Sequence, residues 1–153
     1  MKLVVLKVGE RSPAWSEAAV EEYAKRLRRN PGIEEIAVKP EAFRGDVEAV
    51  RAAESQRVLD ALKPRDFMVA LDERGAAPDT DAFGALLDEG LGAPGRLVFV
   101  LGGAYGHHER LRAAAWRTIR LSSLVLNHEV ARIVLFEQLY RVVARKSGVP
   151  YHH

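Results

Sequence analysis

No cysteine occurs among the 153 residues. That absence excludes disulfides, thiol nucleophiles and thiolate metal sites. There is also no apolar run long enough to cross a bilayer, so no membrane span is expected. The opening stretch MKLVVLKVGE places Lys2 and Lys7 around its apolar residues. A secretory leader would need a longer uncharged core and a small-residue cleavage site, so a cytoplasmic protein is expected. Amides are scarce: Asn30, Gln56, Asn127 and Gln138 are the full set. A hot habitat and a GC-rich genome both produce that bias, so it discriminates neither. No linker, repeat or low-complexity tract breaks the chain. One domain over residues 1–153 is expected, long enough to bury a real core.

Charge is near balance but unevenly spread. Residues 1–90 carry 14 Lys/Arg and 18 Asp/Glu, net −4, whereas residues 91–153 carry 9 and 3, net +6. All five histidines lie after residue 106. A basic C-terminal part suits an anionic partner such as nucleic acid. A helix with a solvated basic face accounts for it equally well.

Hydrophobic periodicity alternates between two kinds of segment. Strands are expected at 2–9, 33–39, 66–72, 96–101 and 118–122, and helices at 13–30, 46–62, 79–91, 108–116 and 128–148. In the first helix Trp15, Ala19, Tyr23 and Leu27 recur at i+4, with Ser12 able to cap it and Pro13 suited to its first position. Asp79 or Thr80 can cap the third helix, and Asn127 the last, which Gly148 ends. Alternating strands and helices imply an α/β domain with a mostly parallel sheet flanked by helices. Ligands of such sheets bind beyond the carboxyl ends of strands. Three segments leave strands there: LDERGAAPDT, GGAYGHH and LSSLVLNH.

Each of these has a plain alternative. GGAYG has neither the G-x-G-x-x-G spacing nor the Lys-Ser/Thr of a phosphate loop. Its adjacent glycines, Gly102 and Gly103, permit a ligand to approach the main chain, or a simple turn. LSSLVL reads as a short core strand, or as a loop forming an apolar slot for a planar base. HEVAR imitates the zinc-protease H-E-x-x-H, but Arg132 stands where the second ligand would be. Adjacent His107 and His108 cannot both chelate from one helical face, so no metal is expected. The last helix is apolar almost all round, which predicts burial and a helix–helix dimer interface with Arg132, Glu137 and Arg141 partly desolvated.

Together, KLVVLKVG, LDERG, LGGAYG, LSSLVLNHEVARIVLFEQLYR and the terminal PYH, in that order, resemble the SPOUT-class methyltransferases. The nearest resemblance is to the ribosomal RNA large subunit methyltransferase H family, which methylates N3 of a pseudouridine in 23S rRNA. It covers essentially the whole chain and favours the ligand-loop readings. It implies a SPOUT α/β-knot, with a C-terminal trefoil knot, and a homodimer. It also implies S-adenosyl-L-methionine held by Leu71, Gly102, Gly103, Leu121, Ser122, Ser123, Leu124, Val125 and Leu126. Catalysis would be direct methyl transfer without metal. Arg141, or Arg132 as second choice, would stabilise negative charge on the base, while Tyr151 and His152 would position the base or relay its proton, reaching the partner's cofactor site. His128 would orient the loop. The family usually has Pro at the position of Asn127 and Arg or Lys after YH, where this chain ends in His153. With no appended RNA-binding domain, recognition would rest on the dimer surface and a structured target, the assembled ribosome. Two other readings remain: a non-enzymatic RNA-binding or ribosome-associated factor, and a knotted methyltransferase acting at another RNA site.

Overall fold

The computed structural model describes residues 3–153. Lys2, placed in the first strand by its sequence, lies outside them. The strands are β1 (Leu3–Val8), β2 (Ile33–Val38), β3 (Phe67–Ala76), β4 (Leu97–Leu101) and β5 (Arg117–Ile119). The helices are α1 (Ala14–Leu27), α2 (Val47–Ala61), α3 (Thr80–Gly92), α4 (Glu109–Ala114) and α5 (His128–Lys146). The sheet order is β2-β1-β4-β3-β5. Every pairing is parallel, with Leu3 level with both Ile33 and Leu97, and Leu97 level with Phe67.

Strand alternation divides the core into two layers. Leu3, Val5, Val69, Leu97, Phe99 and Leu101 face α1, α3 and α5, meeting Val20, Phe83, Leu87, Leu135, Phe136 and Leu139. Val4, Leu6, Met68, Ala70, Val98 and Val100 face the other way, onto Val58 of α2 and Leu111 of α4. A sheet buried on both faces needs continuous apolar strands, which is how β1 and β4 read. Crossovers from β1 to β2 and from β3 to β4 run one way across the sheet, and those from β2 to β3 and β4 to β5 run the other. With one hand of crossover, reversing direction requires changing face. Accordingly α1 and α3 share one layer, and α2 and α4 share the other.

Helix starts follow local chemistry. Asp46 accepts from the Glu48 and Ala49 amides, Asp79 from Ala82 and Asn127 from Glu129, each removing an orphan donor. At the far end of α5, Gly148 adopts φ 69°, the left-handed turn that a side chain disfavours.

Four local expectations fail. The buried face of α1 is Ser16, Val20, Ala24 and Leu27, leaving Trp15 56% exposed. A strict i+4 row drifts around the helix axis, whereas a buried stripe mixes steps of three and four. Ser12 does not cap α1, since Pro13 holds that position without a side-chain cap bond. The Ser12 hydroxyl instead accepts from Lys7 Nζ at 2.7 Å and donates to Glu129 at 3.0 Å, serving two charged groups that are mostly buried. β3 runs on to Ala76, with a register shift between Leu71 and Ala76 opposite Ile119. The fifth strand, expected over 118–122, stops at Ile119, and LSSLVL takes the loop rather than the core-strand alternative, with Leu124 and Val125 77% and 86% exposed.

Candidate functional site

The carboxyl ends of β3, β4 and β5 open into a cavity of about 430 Å³. Its walls come from the exits of those strands, 71–74, 101–106, 120–122 and 124–126, with Arg51 of α2 and His128 and Ala131 of α5. Of the residues that the family resemblance assigns to a cofactor, Leu71, Gly102, Gly103, Leu121, Ser122, Leu124, Val125 and Leu126 line it, and Ser123 does not. Arg51, Asp72, Arg74, Tyr105 and Arg120 also line it and were not singled out. Asp72 and Arg74 lie within the LDERG motif, so position after a strand could have flagged them. Nothing in the local sequence marks Arg51, which arrives from a distant helix.

Each loop is shaped by something specific. Gly103 O accepts from Gly106 N at 3.1 Å, closing a tight turn, and Gly106 sits at φ 79°. A Cβ on Gly102 would stand 3.2 Å from the His107 ring and 3.3 Å from the Gly106 backbone. A Cβ on Gly103 would overlap the Glu54 carboxylate of α2. The paired glycines thus admit protein neighbours as well as leaving main chain bare. Gly75 is more tightly constrained: a Cβ there would lie 2.6 Å from the Ile119 backbone, so only glycine lets the extended β3 press against β5. In the third loop the Ser122 hydroxyl accepts from Leu124 N at 2.9 Å, turning the chain so that Leu124 and Val125 stand outward.

Beneath the floor lies a polar knot of side chains. Asp72 is within 3.5 Å of Arg112 and 3.6 Å of Arg74. Arg112 also donates to His107 O at 2.7 Å, tying α4 to the second loop. His107 is 4% exposed and its Nε2 has no hydrogen-bond partner among the described residues. Burial holds its imidazole below the ordinary histidine range despite the opposing pull of Asp72. It is therefore neutral at pH 7. Burial likewise pushes the Glu54 carboxyl up, against the Glu41 amide and Arg57.

The residues expected to act on the substrate lie elsewhere. Arg141 donates to Glu137 Oε1 through Nε at 2.9 Å and Nη2 at 2.6 Å, and its guanidinium lies 4.9 Å over the Tyr151 ring. The Tyr151 hydroxyl donates to Glu137 at 3.2 Å, and its ring meets Tyr140 edge-on at 4.8 Å. Its phenol is held well above the ordinary range by hydrogen bonding with Tyr23, then by burial and the Glu137 charge. His152 is exposed. Arg141 stands 13 residues along α5 from the cavity-lining His128, which is about 20 Å at 1.5 Å per residue. Within one chain, then, the two expected groups of residues are not assembled.

Arg132 belongs to neither group. It is 2% exposed and gives Glu35 two bonds of 2.7 and 2.6 Å. Glu17 lies at 3.0 Å and Glu129 at 3.5 Å from the same guanidinium. It ties α5 to β2 and α1, with no free edge toward the cavity. Glu35, an acid inside strand β2, is thereby explained as one half of a bidentate pair.

Among the described residues no cluster of three or more His, Asp or Glu is placed to hold a metal, and no helix is long and apolar enough to cross a membrane.

A family profile described as "Predicted SPOUT methyltransferase" matches residues 1–152. Curated relatives named "Ribosomal RNA large subunit methyltransferase H" align over almost their full length. The Neisseria gonorrhoeae protein is 42% identical over 154 residues, covering 99% of both chains. That of Variovorax paradoxus is also 42% identical with the same coverage, and that of Geotalea daltonii is 40% identical over 156 residues, covering 100% of both.

Proposed function

Since the chain belongs to the SPOUT methyltransferase family, we propose that it methylates large-subunit ribosomal RNA, at N3 of a pseudouridine, using S-adenosyl-L-methionine. Family membership implies the C-terminal trefoil knot, and enzymes of this family depend on that cofactor in general.

The cavity fits the cofactor. Its volume of about 430 Å³ lies within the range of small-ligand sites. Leu71, Leu101, Leu121 and Leu126 supply apolar wall for an adenine, and the backbone at Gly102 and Gly103 on the same wall supplies polar partners. Arg120 offers a buried Nε–H without an acceptor. When bound, the sulfonium supplies a methyl group already attached to its leaving group. That this cavity lies at the carboxyl ends of three adjacent parallel strands is the observation that carries the reading.

The chain's own residues then have to hold the acceptor base and manage one proton. As N3 gains its methyl it gives up its proton, and the negative charge left by deprotonation spreads toward the two flanking carbonyls. Arg141, fixed by Glu137 and stacked on Tyr151, is the cation suited to stabilise that charge. Tyr151, with its phenol held high, stays protonated at neutral pH and acts as a positioning donor. His152 can relay the proton. Arg132, satisfied by three carboxylates, is structural on this reading.

The active unit is a homodimer. About 20 Å of helix separates Arg141 from the cavity edge, so the tail of one copy serves the cavity of the other. Val130, Ile133, Val134, Glu137 and Arg141 form a partly exposed stripe on α5, and Trp15 lies uncovered at the start of neighbouring α1. Such apolar exposure fits a subunit interface. The substrate is the assembled ribosome in the cytoplasm.

The test incubates the protein with cofactor labelled on its methyl group and 70S ribosomes, separated subunits or naked rRNA, then maps the labelled nucleotide. Label at one pseudouridine of 23S rRNA is expected. Cofactor binding with label at another RNA position would point to a different target, and no cofactor binding at all would leave an RNA-binding factor.

A further inference from the structure

Three arginines line the cavity, and two are already engaged. Arg51 is held by Glu48 at 2.6 Å and by the Tyr105 carbonyl at 2.7 Å. Arg74 faces Asp72 at 3.6 Å. Arg120 differs from both. Among the described residues no carboxylate forms an ion pair with it, and its Nε is sealed from solvent with no acceptor. Its main chain is not free to swing away, because Arg120 N donates to Ala76 O at 2.9 Å at the rim of the extended β3. Gly75, pressed on the Ile119 backbone, locks the same junction. The chain therefore holds a half-buried arginine, one of its donors sealed without an acceptor, on the wall of this cavity at the mouth of the 121–126 loop. An arginine with no counter-charge on a cavity wall favours an oxyanion there, because the ligand supplies the partner that the chain does not.

We propose that Arg120 is the anion-recognition residue of this cavity and that its guanidinium takes the carboxylate of the bound cofactor's amino-acid arm. The inference rests on the cofactor reading above. A carboxylate matches the planar fork of the guanidinium better than any neutral group. Asp72 does not compete, being engaged by Arg74 and Arg112.

Two nucleosides isolate the contact. S-Adenosylhomocysteine carries the amino-acid arm, whereas 5′-methylthioadenosine has the same adenosine and thioether without it. Calorimetry would measure both on the wild-type protein and on Arg120→Met and Arg120→Lys. Arg120→Met is expected to weaken S-adenosylhomocysteine about 10- to 100-fold and leave methylthioadenosine unchanged, so the discrimination between them collapses. Arg120→Lys should retain part of it. Equal loss for both ligands would mean that Arg120 only shapes the cavity and would overturn the proposal. So would unchanged affinity for both. If nucleoside affinities hold while the log–log salt slope for rRNA binding falls by roughly one, the anion is an RNA phosphate and the carboxylate assignment fails. A wild-type protein that binds neither nucleoside would sink the cofactor reading itself, a result distinct from all of these.

Discussion

Arg132 offers the sharpest separation of a structural role from a catalytic one. Replacing it with Met keeps most of the apolar stem and removes the guanidinium. Glu35, 25% exposed at its side chain, loses two charged hydrogen bonds, and Glu129, 9% exposed, loses its 3.5 Å partner. Glu17 is 51% exposed and regains water, so it adds little. Removing one partner of a buried ion pair costs about 3–5 kcal/mol. Partial hydration of Glu35 and the continuing link from Lys7 through Ser12 to Glu129 argue for the low end, about 3 kcal/mol. For a domain of this size that is a fall in Tm of roughly 6–12 °C. Urea unfolding at pH 7 and fixed protein concentration reads it directly, and calorimetry with S-adenosylhomocysteine should show little change in the folded variant. A pH series adds a second check. Burial pushes the Glu129 carboxyl up, but Ser16, Ser12, Arg132 and Lys7 together hold it below its ordinary value of 4.5. A depressed carboxyl contributes stability that is complete above the unfolded value and is lost as pH falls through the lower folded one. Arg132→Met should weaken that acid loss. A destabilisation under about 1 kcal/mol, or abolished turnover in a variant of undiminished stability, would refute the structural assignment.

His107→Leu should flatten the pH dependence of stability on the acid side. The buried, depressed imidazole keeps its contribution above its ordinary value of 6.5 and loses it as pH falls from there through the folded value, so wild type declines where the variant does not. Gly75→Ala forces a Cβ to 2.6 Å from the Ile119 backbone and should cost about 2–3 kcal/mol in thermal melts. Its control is Gly92→Ala, which meets nothing within 4 Å and should be neutral or slightly stabilising. Arg141→Ala should lower turnover about 10²–10³-fold with nucleoside affinity nearly intact, since the lost charge acts on the base rather than in the cavity. Unchanged turnover would remove Arg141 from the catalytic set.

Much of the architecture was legible before any coordinates. Ten elements alternate in the sequence in the order the structure shows, because a sheet buried on both faces demands near-continuous apolar strands and its crossover helices demand a 3.6-residue period. The polar caps at Asp79 and Asn127 mark helix starts from local hydrogen bonding alone. Likewise, that loops beyond the carboxyl ends of strands line the cavity follows from strand order rather than from any single motif.

What sequence could not decide depends on partners distant along the chain. The stripe of α1 is shifted because packing against α5 and the sheet, not a fixed i+4 step, selects its buried face. Glu35 looks unsuited to a strand until Arg132, 97 residues away, supplies its counter-charge. Gly75 reads as an ordinary turn glycine, yet the backbone of Ile119 occupies the space of any side chain. Composition and periodicity are local sums, so a single sequence carries them in full. Whether a charge is paired or left open, as Arg120 is, depends on which segments the fold brings within a few ångströms, and that is settled only when the chain closes on itself.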